Sequence, residues 1–125
     1  MTPAPYLQSK EIELVKRVII LPILLKLLDQ DLDVMQKNEL HMWLLYNAQL
    51  KSVGNEIKRE LKDKEKQMRK RGIKILSQQH ESNGLFTQFL CRGYEHEMSL
   101  LHGFIQAQIT IILSEYLKIE LTEID

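Results

Sequence analysis

Residues 73–92 read IKILSQQHESNGLFTQFLCR, and this stretch decides the fold class because its apolar pattern has a period of two. An Asn-Gly pair, Asn83-Gly84, separates two runs of β-compatible residues. Such a pair is a strong signal for a β-hairpin, since both residues tolerate the positive φ of a type I′ turn. With these two residues as the turn, the expected register sets Leu76 opposite Cys91. The sequence therefore predicts a β-hairpin at about residues 73–92.

Outside this stretch the apolar residues recur at three- and four-residue steps, which is typical of amphipathic helices. We expect a first helix that is capped by Ser9, kinked by Pro22 and ended by the acidic cluster 29–33. A long second helix is expected from about residue 34 to about residue 71, and a final apolar helix from about residue 94 to about residue 118.

Residues 104–113 admit two interpretations. Ile105 and Ile109 are four residues apart, as on one face of a helix. Gln106, Gln108 and Thr110 alternate with apolar residues, as in a half-buried strand. The helix is the preferred interpretation because the apolar pattern continues at helical spacing on both sides.

Length and composition indicate one domain. The chain has 125 residues, of which 44% are apolar and 27% charged. We expect a mostly α domain spanning residues 1–125, in which the β-hairpin is inserted between the long second helix and the apolar last helix. A flexible arm is expected at residues 1–8 and an acidic tail at 119–125. The single cysteine, Cys91, excludes an internal disulfide framework and fits a cytoplasmic location, and no apolar run is long enough to span a membrane.

The residue pattern argues against an enzyme. His96 and His102 are six apart on the predicted last helix and do not share a face, and His102 is expected to be partly buried. Cys91 and Arg92 are adjacent in a predicted strand and therefore point to opposite faces. The glycines are too scattered for a phosphate loop. The sequence therefore predicts no catalytic residues, no metal ligands and no cofactor.

Charge is unevenly distributed although the 17 basic and 17 acidic residues cancel. The segment from Lys51 to Lys74 holds ten basic and four acidic residues, so it carries +6 and the remainder −6. A solvated helix face is the simplest interpretation, followed by a site for an acidic protein partner and then by a nucleic-acid site without aromatic stacking. The candidate binding residues are Lys62, Lys66, Arg69, Lys70 and Arg71.

Two apolar stripes on the last helix, and a second helix longer than one domain needs, predict self-association. We expect a small, non-enzymatic, cytoplasmic interaction protein with an adaptor-like or regulatory role, which forms a homodimer through helix faces. The alternative is a nucleic-acid-binding accessory protein that uses the basic helix end and the hairpin. The candidate self-association residues are Trp43, Leu100, Phe104, Ala107 and Ile111.

Overall fold

A computed structural model describes residues 7–123, so most of the arm predicted for residues 1–8 lies outside the described part of the chain. The elements are α1 (Ser9–Lys37), α2 (Trp43–Lys70), β1 (Ile73–Glu81), β2 (Gly84–Cys91), β3 (Tyr94–Leu101), α3 (His102–Leu117) and a short 3-10 helix (Leu121–Glu123). The strands form one antiparallel sheet in the order β1-β2-β3. The mostly α architecture with inserted β structure is confirmed, but the β structure has three strands instead of the two of a hairpin.

α1 is the centre of the core because its buried residues lie on several sides of the helix. Ile57 of α2, Phe89 of β2 and Ile112 of α3 belong to the same apolar cluster as α1. Burial of each large apolar side chain contributes roughly 1.5–3 kcal/mol. The buried apolar residues of α1 are Leu14, Val15, Val18, Ile19, Ile20, Leu21, Leu24, Leu28 and Leu32.

The start of α1 differs from the prediction by one residue. Gln8, and not Ser9, is the N-cap, and it forms a capping box with Glu11. The Gln8 backbone N–H donates to Glu11 Oε1 at 3.0 Å, which satisfies a donor that the first turn leaves without a helical partner. Pro22 lies inside α1 and is exposed, and the helix continues beyond it.

The prediction that the acidic cluster 29–33 ends the first helix is wrong, since α1 runs to Lys37. The aspartates occupy exposed positions of the helix, where a carboxylate keeps its water. Asp33 also pairs with Lys37 one turn later at 2.9 Å, which supports the helical conformation locally.

The two long helices are separated by a turn at residues 38–42, so α2 begins at Trp43 and not near residue 34. The Asn38 side-chain amide donates to the Val34 carbonyl at 2.8 Å, and this bond caps the last turn of α1. Glu39 then adopts a φ of 49°, which is incompatible with a right-handed helix, so α1 cannot continue through this residue.

The turn between β1 and β2 is formed by Ser82 and Asn83, because Glu81 pairs with Gly84. Asn83 does not have the positive φ of a type I′ turn. Gly84 instead begins β2, where a Cβ atom would lie 2.1 Å from the Leu100 carbonyl oxygen. The glycine is therefore needed for the close approach of β3, and the prediction that it belongs to the turn is wrong.

The strand register differs from the prediction for the same reason. Cys91 lies opposite Ile73, and Leu76 falls at a bulge between Ile75 and Ser77. The extra residue of a bulge leaves the ladder unpaired at that point, and Leu76 is exposed.

Residues 94–101, which were expected to be helical, form β3. Their apolar residues also fit a period of two, and the preceding Arg92-Gly93 pair adopts φ values of 52° and 85°. Two positive φ values in a two-residue loop are the signature of a type I′ hairpin turn, which returns the chain alongside β2. The helical interpretation of residues 104–113 is confirmed, because they lie within α3.

Candidate interaction surfaces

α1 and α2 pack side by side, and the turn that joins them carries an exposed apolar surface, which we call the apolar tip. Leu44 is 78% exposed, Leu45 62% and Val34 56%. Single exposed leucines are common on protein surfaces, but six exposed large apolar side chains in the turn and the adjoining helix ends are typical of an interaction site. The members of the apolar tip are Val34, Leu40, Met42, Leu44, Leu45 and Tyr46.

Trp43 lies next to the apolar tip and is half-buried. It lines a groove of about 310 Å³ together with Asp29 and Asp33 of α1 and with Lys51 of α2. Of the five predicted self-association residues, it is the one that belongs to this end of the helical hairpin.

The other four predicted self-association residues lie elsewhere. Leu100 is 4% exposed, because it lies in β3 opposite Leu85 and points into the core, so its assignment to an exposed helix face is wrong. Phe104 is half-buried, and Lys16 Nζ lies 5.1 Å from the centre of its ring. Ala107 and Ile111 are exposed on α3, with Ile111 at 38%. The structure therefore does not bring the five residues together on one surface.

The second surface is a line of basic side chains on α2, which we call the basic stripe. At about 100° per residue, the members fall within an arc of roughly 120° and extend over about 28 Å along the helix. All of them are exposed, and the buried residues Val53, Ile57 and Met68 lie on the opposite side of α2. The basic stripe consists of Lys51, Lys58, Arg59, Lys62, Lys66, Arg69 and Lys70.

The basic stripe is continuous. Between residues 51 and 70 its arc contains two further positions, Ser52 and Asn55, and neither a carboxylate nor an apolar side chain. Within residues 7–123, none of the seven cations forms an ion pair within 4 Å. The acidic residues of α2 that interrupt the sequence therefore lie beside the stripe and not in it.

Arg71 does not belong to the basic stripe, although the sequence grouped it with the other candidates. It follows the last turn of α2 and is half-buried. Its side chain lines a groove of about 640 Å³ between α1 and α2, together with Lys10 and Glu60. The sequence-based selection also omitted Lys51, Lys58 and Arg59, which a helical projection of the segment places on the stripe.

Glu60 connects the three helices. Arg17 of α1 donates from Nε and Nη2 to its two carboxylate oxygens at 2.5 and 3.0 Å, and the Tyr116 hydroxyl of α3 donates at 2.5 Å. Partial burial raises the pKa of Glu60, but the donors outweigh it, so that the pKa lies below its ordinary value. Burial and donation to Glu60 raise the pKa of Tyr116. The network is a structural tie, because residues of two other helices donate to the same carboxylate.

A second buried carboxylate, Glu11, accepts hydrogen bonds from Arg92 and, at 3.5 Å, from the Cys91 thiol. The backbone N–H of Gln8 and these donors outweigh the effect of burial, so the pKa of Glu11 is lowered. Burial and the carboxylate raise the pKa of Cys91, which is fully buried. A thiol with a raised pKa is a poor nucleophile, and this cluster fits a structural role.

The histidines occupy separate places. His102 is exposed at the start of α3, so the prediction that it is partly buried is wrong. His96 is half-buried and stacks on Phe89 with ring centres 5.6 Å apart. In the described part of the chain no three His, Cys, Asp or Glu side chains are placed to hold a metal ion.

Comparison with protein families shows which family the chain resembles over nearly its whole length. The model of the family described as YhjD protein matches residues 6–121. The chain belongs to the YhjD protein family. Both the apolar tip and the basic stripe lie within the region that the YhjD model covers. No curated protein and no solved structure gave a significant match. Among residues 7–123, no helix has the length and apolar character needed to cross a bilayer.

Proposed function

We propose that this protein is a non-enzymatic interaction protein that functions as a homodimer, and that the apolar tip forms the dimer interface. The observation that carries this proposal is the exposure of six large apolar side chains within residues 34–46. Removing such a surface from water contributes roughly 25 cal/mol per Å² of apolar area. A second copy of the chain is always present at the same concentration as the first, so it is always available to cover the apolar tip.

Charge near the tip favours a second copy of the same chain. Asp29 and Asp31 are exposed on α1, whereas Lys51 is exposed on α2. In a two-fold interface the contacts are reciprocal, so α1 of each copy can face α2 of the other. The carboxylates of one copy would then oppose Lys51 of its partner, and this complementarity favours the encounter.

The same charges argue against a membrane surface as the occupant of the tip. Four carboxylates, those of Asp29, Asp31, Asp33 and Glu39, lie within the last three turns of α1 and the following turn. Anionic headgroups attract segments that carry clusters of Lys and Arg, and they repel carboxylates. A lipid-binding tip would need the opposite distribution of charge.

The test is the mass of the protein in solution at tens of micromolar, measured by size-exclusion chromatography with light scattering. We expect the wild-type chain to have the mass of two chains and the double variant Leu44→Glu/Leu45→Glu to have the mass of one. Both leucines are more than half exposed, so we expect the circular dichroism spectrum of the variant to match that of the wild type, while its urea midpoint falls by the contribution of the dimer.

The matched control is Leu101→Glu/Ile111→Glu, which adds the same two charges at exposed apolar positions away from the tip. We expect this variant to remain a dimer. A monomeric wild-type chain would contradict the proposal. A control that dissociates while the tip variant stays dimeric would move the interface to the α3 face, where Ala107 and Ile111 are exposed.

A further inference from the structure

We infer that the basic stripe of α2 binds the phosphate backbone of a nucleic acid duplex. Seven exposed cations follow one face of α2 for about 28 Å. A duplex carries about one negative charge per 1.7 Å of its axis, so a length equal to that of the stripe offers more than enough phosphates for every cation. Neutralising these phosphates releases condensed counterions, and this release supplies the binding free energy.

The six cations of the stripe from Lys58 to Lys70 are available for an external ligand. Within residues 7–123 the ion pairs of the chain use other basic residues, namely Lys16, Arg17, Lys37 and Arg92. A solvated face that served solubility alone would be expected to mix both signs of charge. Here the carboxylates of Glu56, Asp63 and Glu65 are on the same helix but outside the arc.

The composition of the stripe favours a phosphate backbone over an acidic protein. Stable protein interfaces have an apolar centre surrounded by a polar rim. From Lys51 to Lys70 the stripe contains no apolar side chain, and its remaining positions, Ser52 and Asn55, carry groups that hydrogen-bond to phosphate oxygens. An acidic protein could pair with the cations of this face, but it could bury no apolar side chain there.

The same composition favours a duplex over a single strand. Proteins that bind single strands without sequence preference stack bases on aromatic side chains. The aromatic residues of α2 are Trp43 and Tyr46, and both precede the stripe and lie on other faces of the helix.

Duplex binding does not depend on the dimer proposed above. The stripe begins at Lys51, almost two helical turns after Leu45 of the apolar tip. A monomeric tip variant therefore keeps all seven cations, and loss of dimerisation and loss of duplex binding are separate results.

The experiment measures binding of the full chain to a fluorescently labelled DNA duplex of mixed sequence by anisotropy, over a series of salt concentrations. If five to seven cations contact phosphates, the slope of log K against log salt is about −4.5 to −6.3. The variant Lys58→Gln/Lys62→Gln/Lys66→Gln should flatten the slope by about 2.7, since three phosphate contacts are lost.

The control variant is Lys10→Gln/Lys26→Gln/Lys118→Gln, which removes the same charge from exposed positions outside the stripe. We expect it to keep the wild-type slope, and an RNA duplex to bind with a slope of similar size. Three results would overturn the inference: no binding of the duplex at low salt, equal losses in the two variants, or tighter binding of poly-glutamate or of a single strand than of the duplex.

Discussion

The guanidinium of Arg92 donates to the buried carboxylate of Glu11 across a sequence separation of 81 residues. Glu11 lies in the first turn of α1, and Arg92 lies in the type I′ turn between β2 and β3. The Arg92 backbone N–H also donates to the Gly72 carbonyl at 2.9 Å, just after α2 ends. One turn of the sheet is therefore bonded both to the start of α1 and to the end of α2.

Replacing Glu11 by Gln should destabilise the protein. The amide keeps the size of the side chain but removes the charge that Arg92 and Cys91 bond to in a fully buried place. Because hydrogen bonds to a charged group contribute about 1.5–3 kcal/mol, we expect the free energy of unfolding to fall by about that amount. Urea denaturation followed by circular dichroism measures it.

Glu13→Gln is the matched control for this substitution. Glu13 is two residues further along α1, its side chain is 74% exposed, and its ion pair with Lys16 spans 3.6 Å. Exposed pairs of this kind contribute little, so we expect a change below about 0.5 kcal/mol. If the free energy of unfolding fell equally in the two variants, the buried ion pair of Glu11 would not be a source of stability.

Stability should fall in acid through Glu11 and Glu60. The pKa of each is lower in the folded chain than the ordinary value of 4.5. Folding therefore favours the deprotonated form, and this contribution is complete above about pH 4.5 and is lost as the pH falls through the folded pKa values. Urea midpoints measured between neutral pH and about pH 3 should show a steep decline for the wild-type chain.

The variant Glu60→Gln identifies one source of that decline. At neutral pH it should be less stable than the wild type, because Arg17 and Tyr116 lose their charged acceptor. In acid the two stabilities should converge, since the wild-type carboxyl is then protonated. Parallel curves over the whole range would mean that Glu60 does not titrate with folding.

Gly84→Ala should destabilise the fold strongly, because Gly84 lies at a close approach of two strands and not in a turn. The added Cβ would lie 2.1 Å from the Leu100 carbonyl oxygen, so β2 and β3 must separate at that end. We expect a loss of more than about 2 kcal/mol. Gly103→Ala is the control, because no atom lies within 4 Å of its added Cβ and alanine favours a helix by about 0.5–1 kcal/mol. A neutral Gly84→Ala would contradict the close approach.

Much of the fold follows from local patterns, and the errors arise where two patterns coincide. Tyr94, Met98 and Leu101 are spaced for a helix, but the alternate residues from Tyr94 to Leu100 fit a strand equally well. Pairing with β2 decides between them, and pairing is a tertiary effect that spacing does not contain. Gly84 is a residue type that favours turns, but in the structure it allows the close approach of β3 to β2. That approach is also a tertiary effect, which the local sequence pattern does not contain.

The candidate surfaces were predictable to different degrees. The basic stripe follows from helical geometry once residues 51–70 are assigned to one helix, and the sequence identified four of its seven members. The apolar tip was missed because residues 34–46 were assigned to the interior of a long helix, where exposed leucines look like core positions. The turn at 38–42, which depends on the φ of Glu39, exposes them.

The central position of α1 has a consequence for synthesis on the ribosome. This helix is made before the elements that cover it, and the contacts from Phe89, Cys91 and Ile112 become available only after most of the chain has emerged. α1 and α2 can form a hairpin early, but the apolar surface of α1 that faces the sheet and α3 is left uncovered during translation. Chaperones bind exposed apolar surfaces, so we expect them to bind the nascent chain until α3 docks.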